Sequence, residues 1–133
     1  MNKETTKLLD KARHAIHAAE VLLKDGEKEF AAGRAYYAMF YVAKALLCGK
    51  GLRVYTKHTA IHRAYGEYFA KTAELDTKFH RWLIDAFNRR LLGDYDVDAN
   101  FSSEDVKEAI GQAREFLETA TAHLLKHGSA ANS

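Results

Sequence analysis

Gly33-Arg34-Ala35-Tyr36-Tyr37-Ala38-Met39-Phe40 lies inside a segment, about Glu27 to Cys48, that is apolar over much of its circumference. At helical spacing Phe30, Tyr37, Tyr41, Ala45 and Cys48 line one side, and Tyr36, Phe40, Ala43 and Leu47 line another. A helix with two apolar faces must be covered on both, so it belongs in the middle of a bundle. Asp25-Gly26 before it and Gly49-Lys50-Gly51 after it supply the stops, because glycine accepts the left-handed conformation in which helices end.

The flanking segments supply the covering helices. From about Thr6 to Lys24, the residues Leu9, Ala12, Ile16, Ala19 and Leu23 recur at alternating spacings of three and four, which puts them on one stripe. The last segment opens at Ser102-Ser103-Glu104-Asp105 with an N-cap serine and two acids suited to the helix dipole. It carries Val106, Ile110, Ala113, Leu117, Ala120 and Leu124 on an equally narrow stripe. A shorter helix is predicted from about Thr59 to Ala70 with Ile61, Tyr65, Tyr68 and Phe69 inward, and a fourth from an Asp76 cap to about Leu92 with Phe79, Leu83, Ala86, Phe87 and Leu91 inward. Residues 93–100 read as a loop, and residues 128–133 as a disordered tail beyond a single domain of residues 1–127. The prediction is an all-α antiparallel bundle of four long helices and one short one. Proline is absent, and the best β-like run, Val54-Tyr55-Thr56, is three residues long.

Composition narrows the setting. A lone cysteine, Cys48, forms no internal disulfide, so a reducing, cytoplasmic location is expected. The first six residues are polar, and no apolar run approaches the length of a membrane span, so a soluble protein away from membranes is expected. The net charge of +2 is unevenly spread: residues 34–90 carry +7 and residues 91–133 carry −5. A basic middle attracts phosphates, and a dipolar surface equally suits subunit contacts.

Three constellations carry polar groups that helix periodicity does not explain. Arg34 shares a stripe with Phe30, Tyr37 and Tyr41, so its guanidinium needs either a carboxylate partner or an opening onto a cleft. In Asn88-Arg89-Arg90-Leu91-Leu92-Gly93-Asp94-Tyr95, two cations in a last helical turn suit the dipole, while a chain reversal beside Arg90, Asp94 and Tyr95 would build a polar pocket. Lys57-His58 stands just before a helix, where either residue could meet an anion. His58 and His62 have the spacing of a metal pair, but no glutamate or third ligand completes one, so no metal or other cofactor is implied.

Taken in order, "R-x-YYAMF" from Arg34, "KH" at 57–58, Tyr65-Gly66-Glu67-Tyr68-Phe69 and "R-x-x-x-DY" from Arg90 to Tyr95 resemble the small stand-alone prokaryotic HEPN (higher eukaryotes and prokaryotes nucleotide-binding) proteins. The resemblance runs from the first helix to about Leu125. It implies a helical bundle assembled as a homodimer, akin to the substrate-binding domains of nucleotidyltransferases. It also implies a toxin–antitoxin-type pairing with a minimal nucleotidyltransferase, and nucleotide or RNA phosphate bound through Arg34, Lys57, His58 and Arg90. Catalytic members are metal-independent ribonucleases with Arg, about four to six residues, then His; there His moves protons and Arg stabilises the phosphate. Counting from Arg90, this chain offers Tyr95, Asp96 and Val97, none of them His. Arg53 and His58 have the spacing but fall in a loop before the third helix. Arg90 with Asp94, Tyr95 or His58 is therefore the candidate for an altered catalytic set. Tyr95 also occupies the neighbourhood in which some HEPN toxins receive nucleotides from their partner. A purely structural alternative pairs Arg34 with Asp94 as a buried ion pair in a non-catalytic dimer or adaptor.

Overall fold

A computed structural model describes residues 1–52, 57–98 and 100–132, with side chains described to residue 127. It contains α1 (Lys3–Lys24), α2 (Lys28–Gly49), α3 (His58–Tyr65) with a π-helical turn over Gly66–Ala70, α4 (Lys78–Tyr95) and α5 (Ser103–Asn132). No strand occurs among the described residues. Arg53 and the run Val54-Tyr55-Thr56 lie outside them. The all-α fold of four long helices and one short one is the one the sequence predicts.

Helix α2 is the hub and packs against α1, α3, α4 and α5. Its buried positions alternate small and large residues: Ala31, Ala35, Ala38 and Ala45 let neighbouring helices close in, while Tyr36, Met39, Leu46 and Leu47 fill the space between them. The predicted stripe of α5 is buried throughout, and that of α1 is buried except for the half-buried Leu23. The α1–α2 reversal is a Schellman turn. Gly26 takes φ +84°, its N–H donates to the Leu23 carbonyl at 3.0 Å, and the Glu27 N–H donates to the Leu22 carbonyl at 2.8 Å. At the starts of α4 and α5, Asp76 accepts from the Lys78 N–H at 2.9 Å and Ser102 from the Asp105 N–H at 3.0 Å.

Three expectations are corrected. Phe30, read as inward, is 60% exposed, because α2 has only just begun there and no helix covers that turn's outer side. Tyr68 is likewise exposed; the wider π-helical turn rotates it outward while Phe69 stays buried. The predicted loop at Gly93 is instead the last turn of α4, which continues through Tyr95. Gly93 stays helical because a Cβ there would come within 3.1 Å of the Phe101 ring and 3.3 Å of Glu29, so its missing side chain lets α4 pack closely. Helix α5 itself is drawn to Asn132.

Candidate functional site

The extra turn of α4 changes the meaning of its cations. Arg89 and Arg90 no longer occupy a last turn, so the helix dipole does not account for them. Asp94 lies one turn beyond Arg90 on the same face, and the two pair at 3.4 Å with the Asp94 side chain 48% exposed. This overturns the expected buried Arg34–Asp94 pair: Asp94 is neither buried nor bound to Arg34, because helical geometry hands it to Arg90 first.

Arg34 projects from α2 onto the ring of Tyr37, with its guanidinium carbon 4.5 Å from the ring centroid. Arg90 reaches the same ring from α4 at 5.0 Å and approaches Tyr36 at 5.9 Å. Each contact stabilises its cation by about 0.5–2 kcal/mol and occupies a ring face rather than the N–H donors, which Arg90 shares with Asp94. The two arginines line an open cleft of about 400 Å³ with Glu29, Phe30, Tyr37 and Asp94. Glu29 and Asp94 oppose anion entry on one side. Arg34 has no carboxylate within ion-pair distance among the described residues.

Behind Tyr37 lies a second cluster that the sequence did not reveal. His58 and His62, one turn apart on α3, both face α2. The buried Tyr36 hydroxyl bridges them at 2.6 Å to His58 Nδ1 and 2.8 Å to His62 Nε2. A phenol carries one proton, so it donates to one imidazole and accepts an N–H from the other, which couples the two tautomers. His58 stacks on Phe40 at 4.1 Å and meets the edge of Tyr37 at 5.5 Å, and Phe87 lies 4.8 Å from His62.

This packing sets the charge states. Burial, reinforced by the nearby His58 and His80, pushes His62 down to about 4, so it is neutral at pH 7. Burial also lowers His58, and the charges of Arg90 and Lys44 add to the effect. Burial raises Tyr36 well above the ordinary phenol range in spite of Arg90, so it stays a hydroxyl. The cluster is therefore a neutral hydrogen-bonded relay with a half-buried imidazole, His58, at its outer end.

Of the residues singled out in the sequence, the fold brings Arg34, Arg90 and Asp94 into one cleft and sets His58 against its Tyr37 wall. Lys57 is exposed at the N-cap of α3 and does not line the cleft, and Tyr95 is 84% exposed at the end of α4. Tyr36, Tyr37 and His62 were overlooked as polar machinery. The one sequence signal was the spacing of His58 and His62, which marks a shared face whether it meets a metal or a hydroxyl.

The comparisons with known proteins agree with this architecture. The HEPN domain matches residues 5–124. "Putative toxin MJ0142" of Methanocaldococcus jannaschii is 32% identical over 92% of this chain and 83% of its own length. "UPF0332 protein glr0978" of Gloeobacter violaceus is 33% identical over 90% of this chain and 95% of its own. A "UPF0332 protein" of Thermotoga maritima is 35% identical over 81% of each. With a match that spans nearly every helix, the chain belongs to the HEPN domain family.

Proposed function

We infer that this chain is the nucleotide- or RNA-phosphate-binding member of a toxin–antitoxin-type pair, its other member being a minimal nucleotidyltransferase. One observation carries the reading: two guanidinium groups from different helices converge on one tyrosine ring in an open cleft, and one of them lacks a carboxylate partner among the described residues. Such a pair suits a phosphate, which takes the N–H donors that the aromatic face leaves unused. The toxin-type assignment draws on the name of the Methanocaldococcus jannaschii relative, "Putative toxin MJ0142". Assembly as a homodimer follows from the family resemblance and cytoplasmic action from the lone cysteine, and no helix among the described residues is long and apolar enough to cross a membrane. Titration calorimetry with a mononucleotide tests the cleft. Arg34→Ala and Arg90→Ala should each weaken binding with an unchanged helical circular-dichroism signal; unchanged affinity in both variants refutes the assignment. Tyr95, with its hydroxyl in solvent, is the position proposed to accept nucleotides from the partner enzyme. Tyr95→Phe should abolish that labelling in a reaction with the purified partner.

A second reading, a metal-independent ribonuclease, is favoured by the position of His58 beside Arg90's field and by its relay to Tyr36 and His62. Here a histidine from α3 would stand in for the one missing after Arg90. RNA cleavage in the presence of a chelator, lost in His58→Gln, would support it; intact RNA at high enzyme concentration would exclude it.

A further inference from the structure

At the end of α2 remote from the arginine cleft, three segments bring two histidines, a carboxylate and a lysine together. Tyr37 and Lys50 are thirteen residues apart, or about 20 Å along a helix, so this cluster is separate from the cleft. A Cβ at Gly49 would clash with Leu124, so the glycine lets α5 lie directly on the last turn of α2. That contact sets His123 and His127, one turn apart on α5, around an open pocket of about 580 Å³ that Lys50 and Glu74 also line. The two imidazole rings stand 4.5 Å apart between centroids, inclined at 42°. His123 Nε2 meets Glu74 Oε2 at 2.8 Å, and Lys50 Nζ donates to the other oxygen of the same carboxylate at 2.6 Å.

We propose that His123 and His127 chelate a divalent transition-metal ion of the copper, nickel and zinc class, with Glu74 as the carboxylate that orients His123. Histidines four apart on a helix share a face, the spacing at which two imidazoles reach one ion. Bonds of about 2.0–2.1 Å hold two such nitrogens at most about 4.2 Å apart. Rings whose centroids are 4.5 Å apart reach that separation with little rotation. A histidine bound to a metal characteristically gives its second ring nitrogen to a carboxylate, which fixes the tautomer and makes the ring a stronger donor. His123 already has that arrangement: a neutral ring that donates from Nε2 to Glu74 carries its lone pair on Nδ1. Lys50 in turn anchors Glu74, so the carboxylate orients the ring without being a ligand itself. No three histidine, cysteine or carboxylate ligands are gathered around one point among the described residues, so water fills the remaining positions on the ion. His58 and His62 have the same spacing, but the Tyr36 hydroxyl bridges their facing nitrogens and His62 is buried, which leaves no room for an ion between them. Imidazole donors rank the ions with Cu²⁺ above Ni²⁺ and Zn²⁺.

The test uses the full chain without an affinity tag and the metal salts alone. Titration calorimetry at neutral pH should show one Cu²⁺, Ni²⁺ or Zn²⁺ bound per chain, with Cu²⁺ the tightest. Saturating Zn²⁺ should raise Tm, because an ion that binds only the native state stabilises it by mass action. Electron paramagnetic resonance of the Cu²⁺ complex should report two imidazole nitrogens in the equatorial plane. His127→Gln alters an exposed residue and should remove both the calorimetric binding and the second nitrogen signal. Glu74→Gln, which keeps an acceptor for Lys50 but loses the charge, should weaken binding about 10–100-fold. A double variant, His14→Gln with His17→Gln, changes two exposed histidines of α1 and should bind as wild type does. Three results overturn the proposal: none of the three ions bound while the helical circular-dichroism signal is intact, full affinity retained in His127→Gln, or affinity lost in the α1 double variant. Glu74→Gln binding as tightly as wild type overturns the role given to the carboxylate.

Discussion

The buried relay makes stability depend on pH in a way that one substitution isolates. His62 is 5% exposed, and burial pushes it down to about 4, against an ordinary value near 6.5 in the unfolded chain. The unfolded state thus binds a proton that the native state refuses. Stability is fully present above pH 6.5 and is lost as the pH falls toward 4. Linkage over that interval gives a loss of about 2 kcal/mol between pH 7.5 and pH 5, and about 3 kcal/mol by pH 4. Unfolding a chain of this length releases about 0.28 kcal/mol per degree of entropy at the midpoint, so 2 kcal/mol corresponds to about 7 °C in Tm. Other groups also lose stability in acid; Glu74, for example, is held below its ordinary value by hydrogen bonds to Lys50 and His123 that outweigh its desolvation. The discriminating comparison is therefore wild type against His62→Gln, whose amide still meets the Tyr36 hydroxyl but does not titrate. Scanning calorimetry at pH 7.5 and pH 5 should show the variant losing about 7 °C less than wild type on acidification. Parallel losses in the two proteins would refute a buried neutral His62.

Three further substitutions separate the parts of the molecule. Tyr36→Phe removes the hydroxyl that joins His58 to His62 and leaves two imidazole nitrogens unpaired; it should cost about 1–3 kcal/mol in urea unfolding, and less than half a kcal/mol would show that the bridge is absent in solution. Asp94→Asn removes a half-exposed partner of Arg90, so stability should change by less than about 1 kcal/mol while mononucleotide affinity rises about fourfold, from one screened charge about 5 Å away. A loss of several kcal/mol would instead restore the buried-pair reading. Leu83→Ala opens a cavity at a fully buried position of α4 and should cost about 2–5 kcal/mol with the helical signal retained at low temperature.

Much of the fold was legible because helix burial is periodic and this chain obeys the period. Leu9, Ala12, Ile16 and Ala19 on α1, and Val106 through Leu124 on α5, are buried where their spacing placed them. The failures fall where a local rule met a tertiary contact. Gly93 reads as a helix stop on propensity alone, but contact with Phe101 and Glu29 makes a missing Cβ useful inside the helix. Arg34 reads as a polar group that needs a partner, but its pairing with Asp94 fails because the length of α4 decides whether Asp94 faces Arg90. Tyr36 was read as core, and it is core. What no periodicity could supply is that its hydroxyl meets two histidines at positions 22 and 26 residues further along the chain.

The two tyrosines at 36 and 37 explain why the neutral and cationic halves of the site stay apart and still communicate. Successive helical residues point about 100° apart, so one ring turns inward to the imidazoles and the other outward to the guanidinium groups. Arg90 approaches both rings, at 5.9 and 5.0 Å, and its charge helps keep His58 unprotonated. The coupling is reciprocal. Any anion that docks on Arg90 cancels part of that field and makes His58 easier to protonate, and a protonated His58 in turn adds a cation to the wall of the cleft. Anion affinity should therefore rise as the pH falls from neutrality. The same acidification protonates the deeper His62 and loosens the fold, which works against that gain.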